Sequence, residues 1–152
     1  MGLYSYNILP INFCDYLINL YETDTGNHER VDKESKPTFT QLNLNKYHAN
    51  VVSNLCNYFS VALDFYKKDV PQAKYLPQVK YLEEFRIKKY AVGGQDRFDE
   101  HVDVVNHNSS RRCLAMLFYL NDIDSGGKTV FPYQNKEFTP KRGNVIIFPP
   151  TW

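Results

Sequence analysis

At 152 residues the chain suits one domain with one core, and 43% hydrophobic against 23% charged residues is a globular rather than a disordered balance. A net charge of +1, with both signs interspersed, leaves no basic face for nucleic acid. No apolar run approaches the roughly 18 residues of a membrane helix, and no charged-then-apolar leader opens the chain, so neither a membrane span nor a secretory signal is expected. The three cysteines, Cys14, Cys56 and Cys113, are odd in number and widely spaced, without a C-x-x-C pair. A reducing, cytoplasmic compartment is therefore expected, with no disulfide framework or zinc ribbon.

In chain order, Ile11 to Tyr21 reads as a short helix, with Asn12 as N-cap and Phe13, Leu17, Ile18 and Leu20 as its apolar stripe. Glu22 to Pro37 is polar and aperiodic, an exposed loop in which His28 is solvated. Thr38 to Leu44 alternates weakly, as an edge strand would. Lys46 to Val70 is the clearest helix: Val51, Val52, Leu55, Cys56, Phe59, Ala62, Leu63 and Tyr66 follow i, i+3, i+4 spacing, and Pro71 ends it. His48, just ahead of that face, reads as a surface or capping residue.

Beyond the Pro71 to Pro77 linker the period becomes extended. Glu84 to Tyr90 alternates as a strand, Gly93-Gly94 turns the chain, and Phe98 to Val105 is expected to be the next strand. Arg112 to Leu120 is an almost continuous apolar run, read as a strand buried on both faces. Thr129 to Pro132, Phe138 to Pro140 and Asn144 to Phe148 complete a series of short strands separated by turn residues, a pattern of sandwiches and barrels.

On an extended backbone His101 and Asp103, two residues apart, would point to the same side. An imidazole and a carboxylate converging there are two-thirds of the 2-His-1-carboxylate triad that binds Fe(II). An H-x-D pair alone is a common chance event. Downstream motifs add to it. Tyr90, Gly93-Gly94, Phe98, His101 and Asp103 are followed in order by Arg112, by Tyr119-Leu120-Asn121-Asp122, by Gly126-Gly127-Lys128-Thr129-Val130-Phe131-Pro132, and by Pro140, Gly143 and Ile146-Ile147-Phe148-Pro149-Pro150.

Through these motifs, residues 85 to 152 resemble the prolyl 4-hydroxylase-like branch of the 2-oxoglutarate, Fe(II)-dependent oxygenases. The resemblance implies an α+β, mainly β fold: a double-stranded β-helix, jelly-roll-like, with N-terminal supporting helices. The expected layout is a single domain over 1–152, with 1–76 as helical support and 77–152 as an incomplete oxygenase core. It implies His101 and Asp103 as iron ligands and catalytic residues, Tyr90, Tyr119 and Thr129 toward 2-oxoglutarate, and Arg112 toward substrate. For the tyrosines the plain alternative is a packed core aromatic, for Thr129 an ordinary strand residue, and for Arg112 a rim salt bridge.

Asp103 favours hydroxylation over halogenation, because related halogenases carry a small residue there. Phe98 stands where many relatives have tyrosine, so a hydroxyl-dependent role is lost. In the family a distal His follows the Phe-Pro-Pro segment, with a basic residue about ten positions further on. The chain reaches Trp152 before both, which implies a C-terminally truncated member lacking one ligand and the last core strands.

The implied activity is a dioxygenase that hydroxylates a C–H bond, with peptidyl proline as the family's substrate, Fe(II) and 2-oxoglutarate as cofactor and cosubstrate, and ascorbate in support. A peptide or protein is the implied macromolecular partner, and the oligomeric state is left open. The competing readings are a non-catalytic jelly-roll binding module, and a subunit that takes its third ligand and strands from a partner.

Overall fold

The computed structural model describes residues 2–34 and 37–151. In chain order these form β1 (Tyr4–Asn7), α1 (Ile11–Thr23), β2 (Glu29–Asp32), β3 (Thr38–Asn43), α2 (Leu44–Tyr47), α3 (Ala49–Asp69), β4 (Arg86–Lys89), β5 (Ala115–Phe118), β6 (Thr129–Phe131), β7 (Lys136–Phe138) and β8 (Asn144–Phe148). Three antiparallel sheets result: β1-β8-β5, β2-β3-β4 and the β6-β7 hairpin. They fall into two compact units. One holds the residues before Asn19, Asn57–Gln78 and the residues from Val102 onward; the other holds Asn19–Cys56 and Val79–His101.

The first unit is built on β8. Its register sets Tyr4 opposite Ile147 on one side, and Ala115 opposite Phe148 on the other. Side chains alternate across a strand, so β8 presents two apolar faces. Val145 and Ile147 pack with Ala62, Tyr66, Val70 and Ala73 from α3 and the turn after it. Ile146 and Phe148 pack with Leu3 and Phe131, and Phe138 lies against that cluster. Helix, sheet and hairpin therefore form three layers, with Val145–Phe148 of β8 buried between the outer two. Burying each of its large aliphatic side chains contributes about 1.5–3 kcal/mol.

In the second unit β3 is the central strand, with Phe39 and Leu42 buried. Thr38, also buried, donates from Oγ1 to the Gln95 carbonyl at 3.0 Å and exchanges two backbone hydrogen bonds with Arg97.

Several sequence expectations change. Helix α1 begins at Ile11, and the Pro10 carbonyl accepts from the Phe13 and Cys14 amides; Asn12 sits inside the first turn and is not the cap. The expected Lys46–Val70 helix is two helices. Asn43 caps α2 through Oδ1 on the Lys46 amide at 3.1 Å, and His48 leaves helical dihedrals before α3 starts. The stretch expected as an exposed loop holds β2, whose partner is β3; Ser35 and Lys36 of that stretch lie outside the described residues. Pairing with β2 and β4 makes Thr38–Asn43 a central rather than an edge strand. Strand β1 has no counterpart among the sequence expectations. Finally, β5 is an edge of its sheet with Leu117 exposed, so the Arg112–Leu120 run is not buried on both faces.

Candidate metal site

Within the second unit, β4 leads into the Gly93-Gly94 loop. Gly93 has φ +69°, a left-handed conformation that glycine adopts without steric cost. The loop closes on Asp96, whose side chain is only 6% exposed. Its carboxylate accepts from the Ala91 amide at 2.9 Å and from both terminal nitrogens of Arg30, at 2.6 and 3.1 Å. A paired fork of this kind holds a carboxylate in one orientation. Together with the Thr38–Arg97 bridge it brings the chain back to β3. Neither Arg30 nor Thr38 carries a local sequence signal, because both act through residues more than fifty positions away.

The strand expected over Phe98–Val105 does not form; regular pairing stops at the Arg97 bridge. His101 and Asp103 therefore lie on irregular backbone, held by individual contacts. His101 Nδ1 lies 2.8 Å from the Asp99 carbonyl. A carbonyl only accepts, so Nδ1 carries the proton and Nε2 carries the lone pair of the neutral ring. The Phe98 ring lies parallel to the imidazole, with centroids 3.7 Å apart and planes 5° apart. His101 is the last residue of its unit. Asp103, in the other, is fixed by its backbone: its amide donates to the Pro150 carbonyl at 3.0 Å, and its carbonyl accepts from the Arg112 guanidinium at 2.7 Å. Arg112 thus braces the segment that carries Asp103.

Of the residues expected to face 2-oxoglutarate, Tyr119 and Thr129 come together. The Tyr119 hydroxyl donates to Thr129 Oγ1 at 2.6 Å, and burial raises the Tyr119 phenol above its ordinary range while the Thr129 contact partly opposes that. Tyr90 belongs to the other unit and rests against Phe39 with centroids 5.5 Å apart. Although 41% exposed, its phenol is pushed up to about 12, by burial first and by the Asp96 carboxylate second.

A phenol raised above its unfolded value of about 10 holds its proton more tightly in the folded chain. Its contribution to stability is complete below about pH 10 and is lost as pH rises toward 12. A Tyr90→Phe variant is expected to lose less stability over that interval than the parent, measured by denaturant midpoints. Parallel pH profiles for the two chains would contradict this.

Imidazole nitrogen and carboxylate oxygen are donors that suit Fe(II), so these two residues fit the ion chemically. Among the described residues, no group of three or more His, Cys, Asp or Glu side chains is arranged to hold a metal. The rings of His28 and His48 are engaged elsewhere. His28, expected to be solvated, stacks on Tyr21 at 4.1 Å and bonds the Tyr21 carbonyl through Nε2 at 2.8 Å. His48 Nε2 meets Asp24 Oδ2 at 2.6 Å, and the His107 carbonyl accepts from Ser110. A cleft of about 340 Å³ in the second unit is lined by Tyr21, His28, Arg30, Lys89 and Asp96 among others. Its charges pair internally, Arg30 with Asp96 and Lys89 with Glu22.

Residues 85–152 match the family model described as the 2OG-Fe(II) oxygenase superfamily. The chain is 37% identical over 79 residues to the probable prolyl 4-hydroxylase 9 of Arabidopsis thaliana, covering 49% of this chain and 26% of that protein. It is 30% identical over 100 residues to the putative prolyl 4-hydroxylase of Acanthamoeba polyphaga mimivirus, covering 66% and 38%. Against the human prolyl 4-hydroxylase subunit alpha-1 the identity is 31% over 75 residues, covering 43% and 14%. The matched region thus spans well under half the length of each of these relatives. No solved structure matches the chain significantly. No helix among the described residues is long and apolar enough to cross a membrane.

Proposed function

The chain belongs, through residues 85–152, to the 2-oxoglutarate/Fe(II) oxygenase superfamily, and from that premise we propose that it is a dioxygenase hydroxylating a C–H bond of peptidyl proline. The likeness to prolyl 4-hydroxylases supports the substrate class. The structural observation that carries the reading is the His101 imidazole, with its proton held on Nδ1 by the Asp99 carbonyl, two residues before the Asp103 carboxylate. In this reading the β1-β8-β5 sheet and the β6-β7 hairpin are parts of a double-stranded β-helix. In this reading the protein is cytoplasmic, and residues 1–76, expected as helical support, also supply strands β1, β2 and β3 to the sheets.

When bound, Fe(II) with 2-oxoglutarate supplies oxidation of the substrate C–H bond by O₂, and ascorbate keeps the iron reduced. His101 binds the metal through Nε2 and Asp103 through its carboxylate. The Tyr119 and Thr129 hydroxyls, already paired, form a polar point for a cosubstrate oxygen. Tyr90 stays protonated throughout the physiological range, so it meets a carboxylate as a hydrogen-bond donor rather than as a repelling phenolate. Arg112 holds the Asp103 backbone and lies beside the substrate.

The test is succinate formation from 2-oxoglutarate by the full-length gene product with Fe(II) and ascorbate. The expected result is Fe(II)-dependent succinate, increased by a proline-rich peptide. A metal-loaded protein that forms no succinate with or without peptide overturns the enzyme reading. One observation favours a second reading, a binding module that keeps the fold without a working centre: His101 and Asp103 have no third donor grouped with them among the described residues. Such a module would bind peptide and leave 2-oxoglutarate untouched.

A further inference from the structure

We propose that Phe98 is a positioning residue for the His101 imidazole, a face-to-face platform that holds the ring with Nε2 presented as the metal-binding nitrogen. The inference rests on the reading of His101 as a ligand and adds to it a residue whose missing hydroxyl otherwise left it without a role. Phe98 precedes His101 by three positions on irregular backbone, where no ladder sets side-chain direction. The imidazole needs two restraints there. One is the hydrogen bond from Nδ1 to the Asp99 carbonyl, which selects the tautomer only while the ring stays in line with that oxygen. The other is the Phe98 face at 3.7 Å and 5°, which fixes the plane.

This stack is not an ordinary core contact. Phe98 is 38% exposed and His101 is exposed as well, so the pair lies at the surface rather than inside a core. Neutral aromatic pairs also favour offset or edge-on arrangements with centroids about 4.5–7 Å apart. A close parallel stack becomes favourable when one ring is electron-poor, because the π-face of the other carries negative charge. An imidazole that donates its Nε2 lone pair to a cation is such a ring. The stack therefore strengthens when metal binds, and by linkage it favours the bound state.

Phe98 is itself supported. Its centroid lies 6.2 Å from Phe39, and Lys88 Nζ sits 5.7 Å from the Phe98 centroid and 4.8 Å from that of Phe39. Phe39 is a buried residue of β3. The platform is thus tied to the central strand of its unit.

Two readouts on the intact chain test this. The first is the imidazole tautomer, read from ¹⁵N chemical shifts of the metal-free chain at alkaline pH. The second is affinity for Co(II), whose absorption bands report ligation. The parent is expected to hold the His101 proton on Nδ1. Phe98→Leu, which keeps apolar bulk but not a planar face, is expected to show mixed tautomers and Co(II) affinity about 10- to 100-fold weaker, as residues that orient a ligand do. Phe98→Tyr, which keeps the ring, is expected to restore parental values in both.

Parental tautomer and affinity in Phe98→Leu would overturn the proposal, as would a parent with its proton on Nε2. His101→Ala separates the two levels. If it binds Co(II) as tightly as the parent, or the parent binds none, the ligand reading fails, and the tautomer comparison alone then decides whether Phe98 positions the ring. A folded far-ultraviolet spectrum for each variant keeps loss of structure apart from loss of positioning.

Discussion

An Asp103→Ala variant of the full-length gene product is expected to lose Fe(II)-dependent 2-oxoglutarate turnover to below detection, with its thermal midpoint close to that of the parent. The two outcomes separate because the backbone and the side chain of Asp103 do different things. Its amide is held by the Pro150 carbonyl and its carbonyl by Arg112. Both contacts use backbone atoms, which an alanine at this position keeps. The loss is an anionic oxygen donor, which an alanine methyl cannot replace. Loss of one of the two proposed ligands leaves too few protein donors to hold the ion in a defined geometry.

Asp103→Asn makes the argument sharper, since it keeps the shape and removes the charge. It should fall between the parent and the alanine variant in metal affinity. Full turnover in Asp103→Ala would remove Asp103 from the site and would leave the family match of residues 85–152 untouched.

Gly143→Ala is expected to cost about 3 kcal/mol of stability, from a left-handed backbone penalty and a steric clash together. Gly143 has φ +84°, where an L side chain is strained, and a Cβ added there would lie 2.6 Å from the Leu9 carbonyl oxygen. That oxygen is backbone and cannot swing aside. The same glycine accepts from the Ile8 and Leu9 amides at 2.8 and 3.0 Å, and donates to the Tyr119 carbonyl at 2.9 Å. Relief of the clash would therefore pull on the end of β1, the chain after β5 and the start of β8 together. For a chain of this size the midpoint should fall by about 10 °C. A fall of only a degree or two in thermal unfolding would show that the Leu9 segment yields easily, and that β1 is weakly attached.

These expectations divide according to where their signals lie. Helix α3 is legible because its buried residues Val51, Leu55, Ala62 and Tyr66 repeat at helical spacing and its hydrogen bonds close within four residues. The run Asn144–Phe148 is legible as a strand because its side chains are apolar on both sides. Gly93, read from sequence as a turn residue, adopts positive φ, as does the motif residue Gly143. The order of motifs from Tyr90 to Phe148 carried the family resemblance, and the family match spans the same residues.

Strands β1 and β2 were not legible. Tyr4-Ser-Tyr-Asn and Glu29-Arg-Val-Asp are short and largely polar, and each is a strand only because β8 or β3 offers it a ladder. A strand's hydrogen bonds belong to its partner, which can lie anywhere in the chain, whereas a helix carries its own. The same contrast runs through the site. The residue types at His101 and Asp103, and their spacing, are properties of the sequence alone. That they sit on irregular backbone was decided in three dimensions, by Thr38 reaching Arg97, Arg30 reaching Asp96, and Pro150 and Arg112 bracing Asp103. The proton on Nδ1 and the plane of the imidazole come from Asp99 and Phe98, neighbours in sequence whose carbonyl and ring are turned toward His101 only by the folded loop.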